Sequence, residues 1–214
     1  MKKVYFVRHG ESLLNVENKD QGPEGALSEK GREQAEFVAK RFQNIPVDII
    51  VSSPYERTRE TTDIINKDLH KKITHSDFFG ERRSASRFFG TRHDDPEYLE
   101  VRKLAHEKWL EDPTWRHEDG ESFQDVKERA QKSLELLESL EEENILVVTH
   151  AGILRAIIAV VIFGKDLTYE EHAKLHLTLV SNNTGITLIR RGTHPIFKVE
   201  RWALIAWNDH AHLG

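Results

Sequence analysis

Val4-Tyr5-Phe6-Val7-Arg8-His9-Gly10-Glu11-Ser12 carries an apolar run directly into an arginine, a histidine and a glycine. A continuous apolar run of this length reads as a strand buried on both faces. When such a strand stops on charged groups, it delivers them to a site. The same design returns far along the chain, where Ile145-Leu146-Val147-Val148 runs into Thr149-His150-Ala151-Gly152. Two strands that each end in a histidine beside a glycine turn, with helix following, imply one pocket. It would lie at the carboxyl edge of a sheet, where open α/β folds bind ligands.

Between these strands, helical and strand patterns alternate. A helix is expected from about Ser28 as N-cap, with Ala35, Val38, Ala39 and Phe42 on one face at i, i+3, i+4 and i+7. Pro46 ends that segment, and Val47 to Val51 reads as the second strand. Ser53-Pro54-Tyr55-Glu56 then looks like a helix start, with Ser53 as N-cap, Pro54 at the first helical position and Glu56 closing a capping box. Lys72 to Ser76 is a candidate third strand. Residues 77–121 break the alternation and read as an insertion over the sheet edge, a candidate lid, with one helix starting at Asp95-Pro96. Ser122 opens a further helix. Ile153 to Phe163 is apolar nearly all round, hence a buried helix stopped at Gly164. Thr168 to Lys174 also reads as helix. Ile186–Ile189 and Phe197–Leu204 read as strands of an edge hairpin turning near Arg191-Gly192. The sum is a three-layer α/β/α sandwich with a mainly parallel central sheet and a helical/loop lid inserted over its carboxyl edge. No linker composition interrupts residues 1–214, which we take as a single domain.

The bulk numbers bound the function. A net charge of −5 argues against non-specific affinity for nucleic acid or membrane. With no cysteine, thiolate catalysis and zinc–thiolate sites are excluded. No signal-peptide pattern opens the chain, and its longest apolar run is too short to span a bilayer, so the expected location is cytoplasmic.

Arg8 and Arg57 near strand ends, with helix N-termini beside them, suit a compact anion with several oxygens, and phosphate fits best. A neutral imidazole is a competent nucleophile towards phosphorus, and its unperturbed pKa of ~6.5 leaves it largely neutral near pH 7. A second histidine can hydrogen-bond the equatorial oxygens during transfer. The pattern asks for no cofactor and offers no metal-ligand cluster. His172 and His176, at i and i+4, could share a metal, but without a third ligand they read as helix-surface histidines. His210 and His212 read as parts of a solvated tail.

Arg8-His9-Gly10-Glu11-Ser12 with Asn15, the Ser52-to-Thr61 segment and Thr149-His150-Ala151-Gly152 together resemble, in order, the three motifs of the histidine phosphatase superfamily, the phosphoglycerate mutase-like proteins. Leu27 to Ala35 and Asn208 to Leu213 are also similar to recurring segments of that family. The resemblance implies that His9 is the nucleophile that becomes phosphohistidine. It further implies that Arg8, Arg57, His150 and Asn15 bind phosphoryl oxygens, and that Glu81 is the proton donor. Glu11 is an alternative donor, although a turn-capping role suits it better. Arg82 and Arg83, in a cluster continuing to Arg87 and Arg92, are candidates for holding a second phosphate or a carboxylate. The alternative for the cluster is a solvated loop face. Asn18-Lys19-Asp20-Gln21-Gly22-Pro23 departs from the mutases' Thr-Gly-Trp run. The resemblance therefore implies a metal-independent, histidine acid-type phosphatase acting on a small phosphorylated metabolite. A phosphoglycerate mutase is the nearest alternative, and a phospho-ligand-binding protein that barely turns over is the third. A homo-oligomer is compatible with all three.

Overall fold

The computed structural model describes residues 1–214. Lys2–Arg8 forms β1, Leu13–Val16 the short helix α1, Glu29–Phe42 α2, Ile49–Ser52 β2, Glu56–Leu69 α3 and Ile73–His75 β3. The insertion carries two single 3-10 turns and one helix, α4, over Pro96–Glu111. Phe123–Ser139 is α5, Asn144–Thr149 β4, Ala151–Phe163 α6, Tyr169–Thr178 α7, Ile186–Thr193 β5 and Glu200–Asp209 β6.

The strands make one sheet in the order β3-β2-β4-β1-β5-β6. β3, β2, β4 and β1 are mutually parallel, while β5 and β6 run antiparallel at one edge. Alternate residues of each central strand feed opposite cores, as the two-residue period of a pleated strand requires. Tyr5, Val7, Ile50, Leu146 and Val148 pack against Val38, Phe42 and Ile65 of α2 and α3. Val4, Phe6, Val51, Ile145 and Val147 pack against Val126, Leu137, Ile153 and Ile157 of α5 and α6. This is the three-layer sandwich that the sequence pattern implies.

The start signals behave as read at most helices. Ser28 accepts from the Gly31 N–H, Asp95 from the Glu97 and Tyr98 N–H groups, and Ser122 forms a capping box with Asp125. The edge hairpin turns later than expected, over residues 194–199 rather than at Arg191-Gly192. Thr193 still pairs with Glu200, and the His194 side chain organises the turn by accepting from the Ile196 and Phe197 N–H groups at 3.2 Å. No helix is long and apolar enough to cross a membrane.

The loop after β1 crosses α2 at backbone distance. A Cβ on Gly31 would stand 1.9 Å from the Glu11 carbonyl oxygen, and one on Gly10 would stand 2.3 Å from the Gly31 oxygen. Helix propensity alone favours Gly31→Ala by about 1 kcal/mol. Overpacking against main chain costs about 1–3 kcal/mol or more and wins, because neither strand end nor helix can retreat. Gly31→Ala is expected to lower the urea unfolding midpoint, and a raised midpoint would show that the two backbones have room to part.

Candidate active site

β1 and β4 are neighbours with Arg8 level with Thr149, so both strands release their histidines at the same edge. The His9 and His150 ring centroids lie 5.1 Å apart, and both residues are buried. His9 Nδ1 stands 2.7 Å from the Gly10 carbonyl oxygen. A carbonyl can only accept, so Nδ1 carries the proton and the lone pair is at Nε2. Arg57, in the first turn of α3, donates from Nε to that same Nε2 at 3.3 Å, and from Nη1 to the Gly22 carbonyl at 2.8 Å. Two independent contacts therefore select one tautomer.

Ser53 departs from its expected role. α3 begins at Glu56 with Tyr55 as an N-cap that makes no side-chain cap bond, so Ser53 and Pro54 lie outside the helix. The Ser53 hydroxyl instead accepts from the Tyr55 N–H at 3.3 Å and lies 2.9 Å from His150 Nε2. With its oxygen already accepting, it is free to donate its own proton to Nε2. The His150 proton then sits on Nδ1, which is buried with no protein partner. Glu56 closes no capping box either, because its carboxylate accepts from the Gly25 N–H at 2.8 Å.

The electrostatics are those of an anion receptacle. Burial lowers the Arg8 pKa to about 10, and Arg57 is lowered by the same cause. Arg8 donates to the Ser181 carbonyl, while its buried Nε has no partner. Burial first, then Arg57 and other nearby charges, hold both imidazoles well below the ordinary histidine value. Donors at Arg8 Nε and His150 Nδ1 thus converge with a neutral, lone-pair-bearing His9.

Glu81 comes from the insertion to the first turn of α6. Its carboxylate accepts from the Arg82 N–H at 2.8 Å and from the Gly152 and Ile153 N–H groups, both at 3.1 Å. It therefore satisfies donors that a helix N-terminus leaves free, which explains why α6 has no side-chain cap of its own. A Cβ on Gly152 would meet Glu81 Oε1 at 2.4 Å, so the carboxylate fits only against glycine. The charge of Glu81 acts on Arg8 and Arg57.

Side chains beyond the expected site residues fix the segments around the site. Arg129 donates to the carbonyls of Phe78, Gly80 and Glu81 and forks onto Glu121 at 2.8 and 2.9 Å. Thr149 donates to the Phe79 carbonyl at 2.7 Å, and Asn183 donates to the His9 carbonyl at 2.9 Å. Their one sequence signal is an arginine and a threonine on faces otherwise given to core residues.

The remaining candidates scatter. The Asn15 amide oxygen is spent in a capping box with Ser12, leaving its NH2 group free. Glu11 binds Ser28 and Lys30 at the start of α2, whereas the short turn after it is capped by Ser12. Arg82 points towards the Trp109 ring at 5.8 Å, and Arg83 lies on a separate surface cleft with Glu121 and Arg129. Arg87 and Arg92 are ion-paired to Glu97 and Asp94 at 2.8 Å. His172, expected on a helix surface, is buried at 8% exposure because α7 packs it against Phe123. His212 is not solvated tail either, since it sits 3.1 Å from the Thr184 hydroxyl and against Arg41. No group of three or more His, Cys, Asp or Glu residues is placed to hold a metal ion.

These buried histidines fix the sign of the pH dependence. Their folded pKa values lie below the unfolded value of ~6.5, and His172 and His176 fall to about 4. Between those limits the unfolded chain binds more protons, so stability falls as pH drops through 6.5. Thermal melts are expected to shift down steadily from pH 7 to pH 5, and a flat profile would contradict the burial of the neutral rings.

Comparison with known proteins agrees with this fold. The family model for the histidine phosphatase superfamily (branch 1) matches residues 4–210. A putative phosphoserine phosphatase 2 of Hydrogenobacter thermophilus is 30% identical over 199 residues, covering 88% of this chain and 89% of its own. A probable phosphoglycerate mutase of Erwinia tasmaniensis is 27% identical over 224 residues, covering 100% and 95%. The solved structure of a phosphoserine phosphatase mutant from Entamoeba histolytica in complex with phosphoserine superposes with a TM-score of 0.78 at 26% identity, covering 100% of both chains. The family model spans nearly the whole chain, and the chain belongs to the histidine phosphatase superfamily.

Proposed function

We propose that the protein is a phosphomonoesterase that works through a phosphohistidine at His9. The observation that carries this reading is the His9 tautomer. A proton held at Nδ1 by the Gly10 carbonyl leaves an Nε2 lone pair beside two buried guanidiniums and a second imidazole. In the first step Nε2 attacks phosphorus and forms the P–N bond, the P–O bond to the leaving group breaks, and the leaving oxygen takes its proton from Glu81. Arg8, Arg57 and the His150 Nδ1–H spread the charge of the transferring phosphoryl oxygens, with the Asn15 NH2 as a further donor. In the second step the Glu81 carboxylate accepts a proton from water, whose oxygen attacks phosphorus. The P–N bond breaks, and phosphate and neutral His9 return.

Every role is filled by a side chain of this protein, so we read the mechanism as metal-independent. We also propose the histidine acid-type subclass, a reading that burial and the neighbouring arginines favour by holding the His9 imidazole well below its ordinary pKa. The substrate class is a small phosphorylated metabolite, a reading supported by relatives named for phosphoserine and phosphoglycerate chemistry. A mutase would share the first step and return the phosphoryl group to bound product instead of water.

The test is phosphate release from a phosphomonoester panel in EDTA, with rapid acid- and base-quench of labelled enzyme. Wild type is expected to release phosphate and to trap an acid-labile, base-stable phosphoenzyme, and His9→Ala to do neither. Conversion of 3-phosphoglycerate to its isomer without net phosphate release would favour the mutase.

Glu81→Gln is expected to lower turnover of alkyl phosphates by about 10²–10⁴-fold. It should slow the p-nitrophenol burst, which precedes the water step, far less, since that leaving group departs without a proton. An equal loss on both would remove Glu81 from the donor role.

A further inference from the structure

A second cavity opens where Glu81 meets α6. Gly152 bounds it on one side, and the backbone that carries Glu81 continues into it as Arg82. Its volume is about 440 Å³, and α4 and α7 supply most of the rest of its lining. That is the size of a pocket for a ring-bearing small molecule and far exceeds what a serine-sized leaving group would fill.

The lining has no carboxylate. In a chain of net charge −5, the charged groups facing this space are Arg82, Arg102 and Lys103, with His106, His172 and His176 beside them. Arg87, Arg92 and Arg116 of the same insertion each hold an acid at ion-pair distance. Arg82 and Arg102 hold none, and their guanidinium groups make no hydrogen bond within the protein. A half-buried cation without a partner keeps its full attraction for an incoming anion.

His172 points the same way. It is 8% exposed, and neither ring nitrogen has a hydrogen-bond partner. An unpaired buried polar group costs stability, and natural proteins keep few of them. The aromatic walls are already committed elsewhere at their polar ends. Trp109 donates its indole N–H to the Trp115 carbonyl at 2.8 Å, and the Tyr169 hydroxyl pairs with His106 Nδ1 at 2.8 Å. Their faces are what they offer the cavity.

We propose that this cavity is a leaving-group subsite for phosphomonoesters bearing a ring and a second anionic group, with Arg82 and Arg102 on the anion and Trp109 and Tyr169 against the ring. The proposal rests on the phosphatase reading and supplies its substrate class. The second anion is a carboxylate or a second phosphate, since both suit a guanidinium fork.

The test uses three matched esters, phenyl phosphate, 4-carboxyphenyl phosphate and 1,4-phenylene bisphosphate, titrated into His9→Ala protein so that no turnover intervenes. One or both anionic-tailed esters are expected to bind at least about tenfold more tightly than phenyl phosphate, and which of the two gains more identifies the anion. Adding Arg102→Gln to His9→Ala is expected to erase the gap, while adding Lys108→Gln, an exposed change outside the cavity, leaves it. Equal affinities for all three esters, or a gap that survives Arg102→Gln in protein with a normal melt, would overturn the subsite. Release of phosphate by the wild type is measured on the same esters. Silence there with the binding gap intact would overturn the phosphatase reading and leave the subsite standing.

Discussion

Two guanidiniums buried at one sheet edge, held by main-chain carbonyls rather than by a carboxylate, set the conditions for everything around them. Taking a charge out of water costs several kcal/mol even after a protein relaxes around it. Ser181 and Gly22 carbonyls offset part of that for Arg8 and Arg57, and Glu81 acts on both from a distance. The remainder is a standing positive potential in a dry pocket. Burial first, and that potential second, hold the His9 and His150 imidazoles well below the ordinary histidine value, and an anion with several oxygens would discharge the potential. The cost in stability and the proposed affinity for phosphate are one feature seen in two states.

The framework that holds this potential is ordinary α/β packing. Parallel β1 and β4 bring both histidines to one edge because each buries alternate residues in two cores, and neither core can be exchanged for the other by a one-residue slip without inverting every side chain. Register, rather than any contact between the rings, therefore fixes the 5.1 Å separation of His9 and His150. α6 adds a donor-rich terminus between the histidine strand and the insertion, and Glu81 closes it. One carboxylate so joins the reacting site, the helix and the inserted loop.

Much of this was legible in the letters. Strand and helix periods, the caps at Ser28, Asp95 and Ser122, and the two histidine-terminated strands are local signals, and local signals survive folding. Ser53 was misread because a Ser-Pro before a helix has a strong local meaning, whereas its actual partner, His150, lies 97 residues away. His172 was misread for a similar reason. An i, i+4 pair on a polar helix looks exposed until the chain packs Phe123 and Tyr169 against it. Arg129 carries only the faint signal of an arginine beside core positions, since gripping three carbonyls of a distant loop is decided by tertiary placement. The arginine cluster was one feature in sequence and became two in space, with Arg87 and Arg92 neutralised at the surface and Arg82 left open.

The proposed grip on phosphate and the proposed choice of leaving group rest on different parts of the chain, yet those parts are mechanically linked. The Gly22 carbonyl that holds Arg57 belongs to a segment stitched to the insertion through Asp20 and Gly22. Asp20 exchanges backbone bonds with Gly90 and Thr91, and its carboxylate accepts from Ser84 and, at 3.0 Å, from the Tyr98 hydroxyl. Phe89 packs so closely on Gly22 that a Cβ there would meet its ring at 2.8 Å. α4 therefore bears on the cation that touches His9 through three short links, Tyr98 to Asp20 to Gly22. A change in what α4 binds can reach the reacting phosphoryl group along that line, while β1 and β4, locked by two cores, stay where they are. On the proposed function, the insertion can change the lining of its cavity and keep one chemistry only while it leaves both the Glu81 carboxylate on α6 and the Gly22 carbonyl on Arg57 in place.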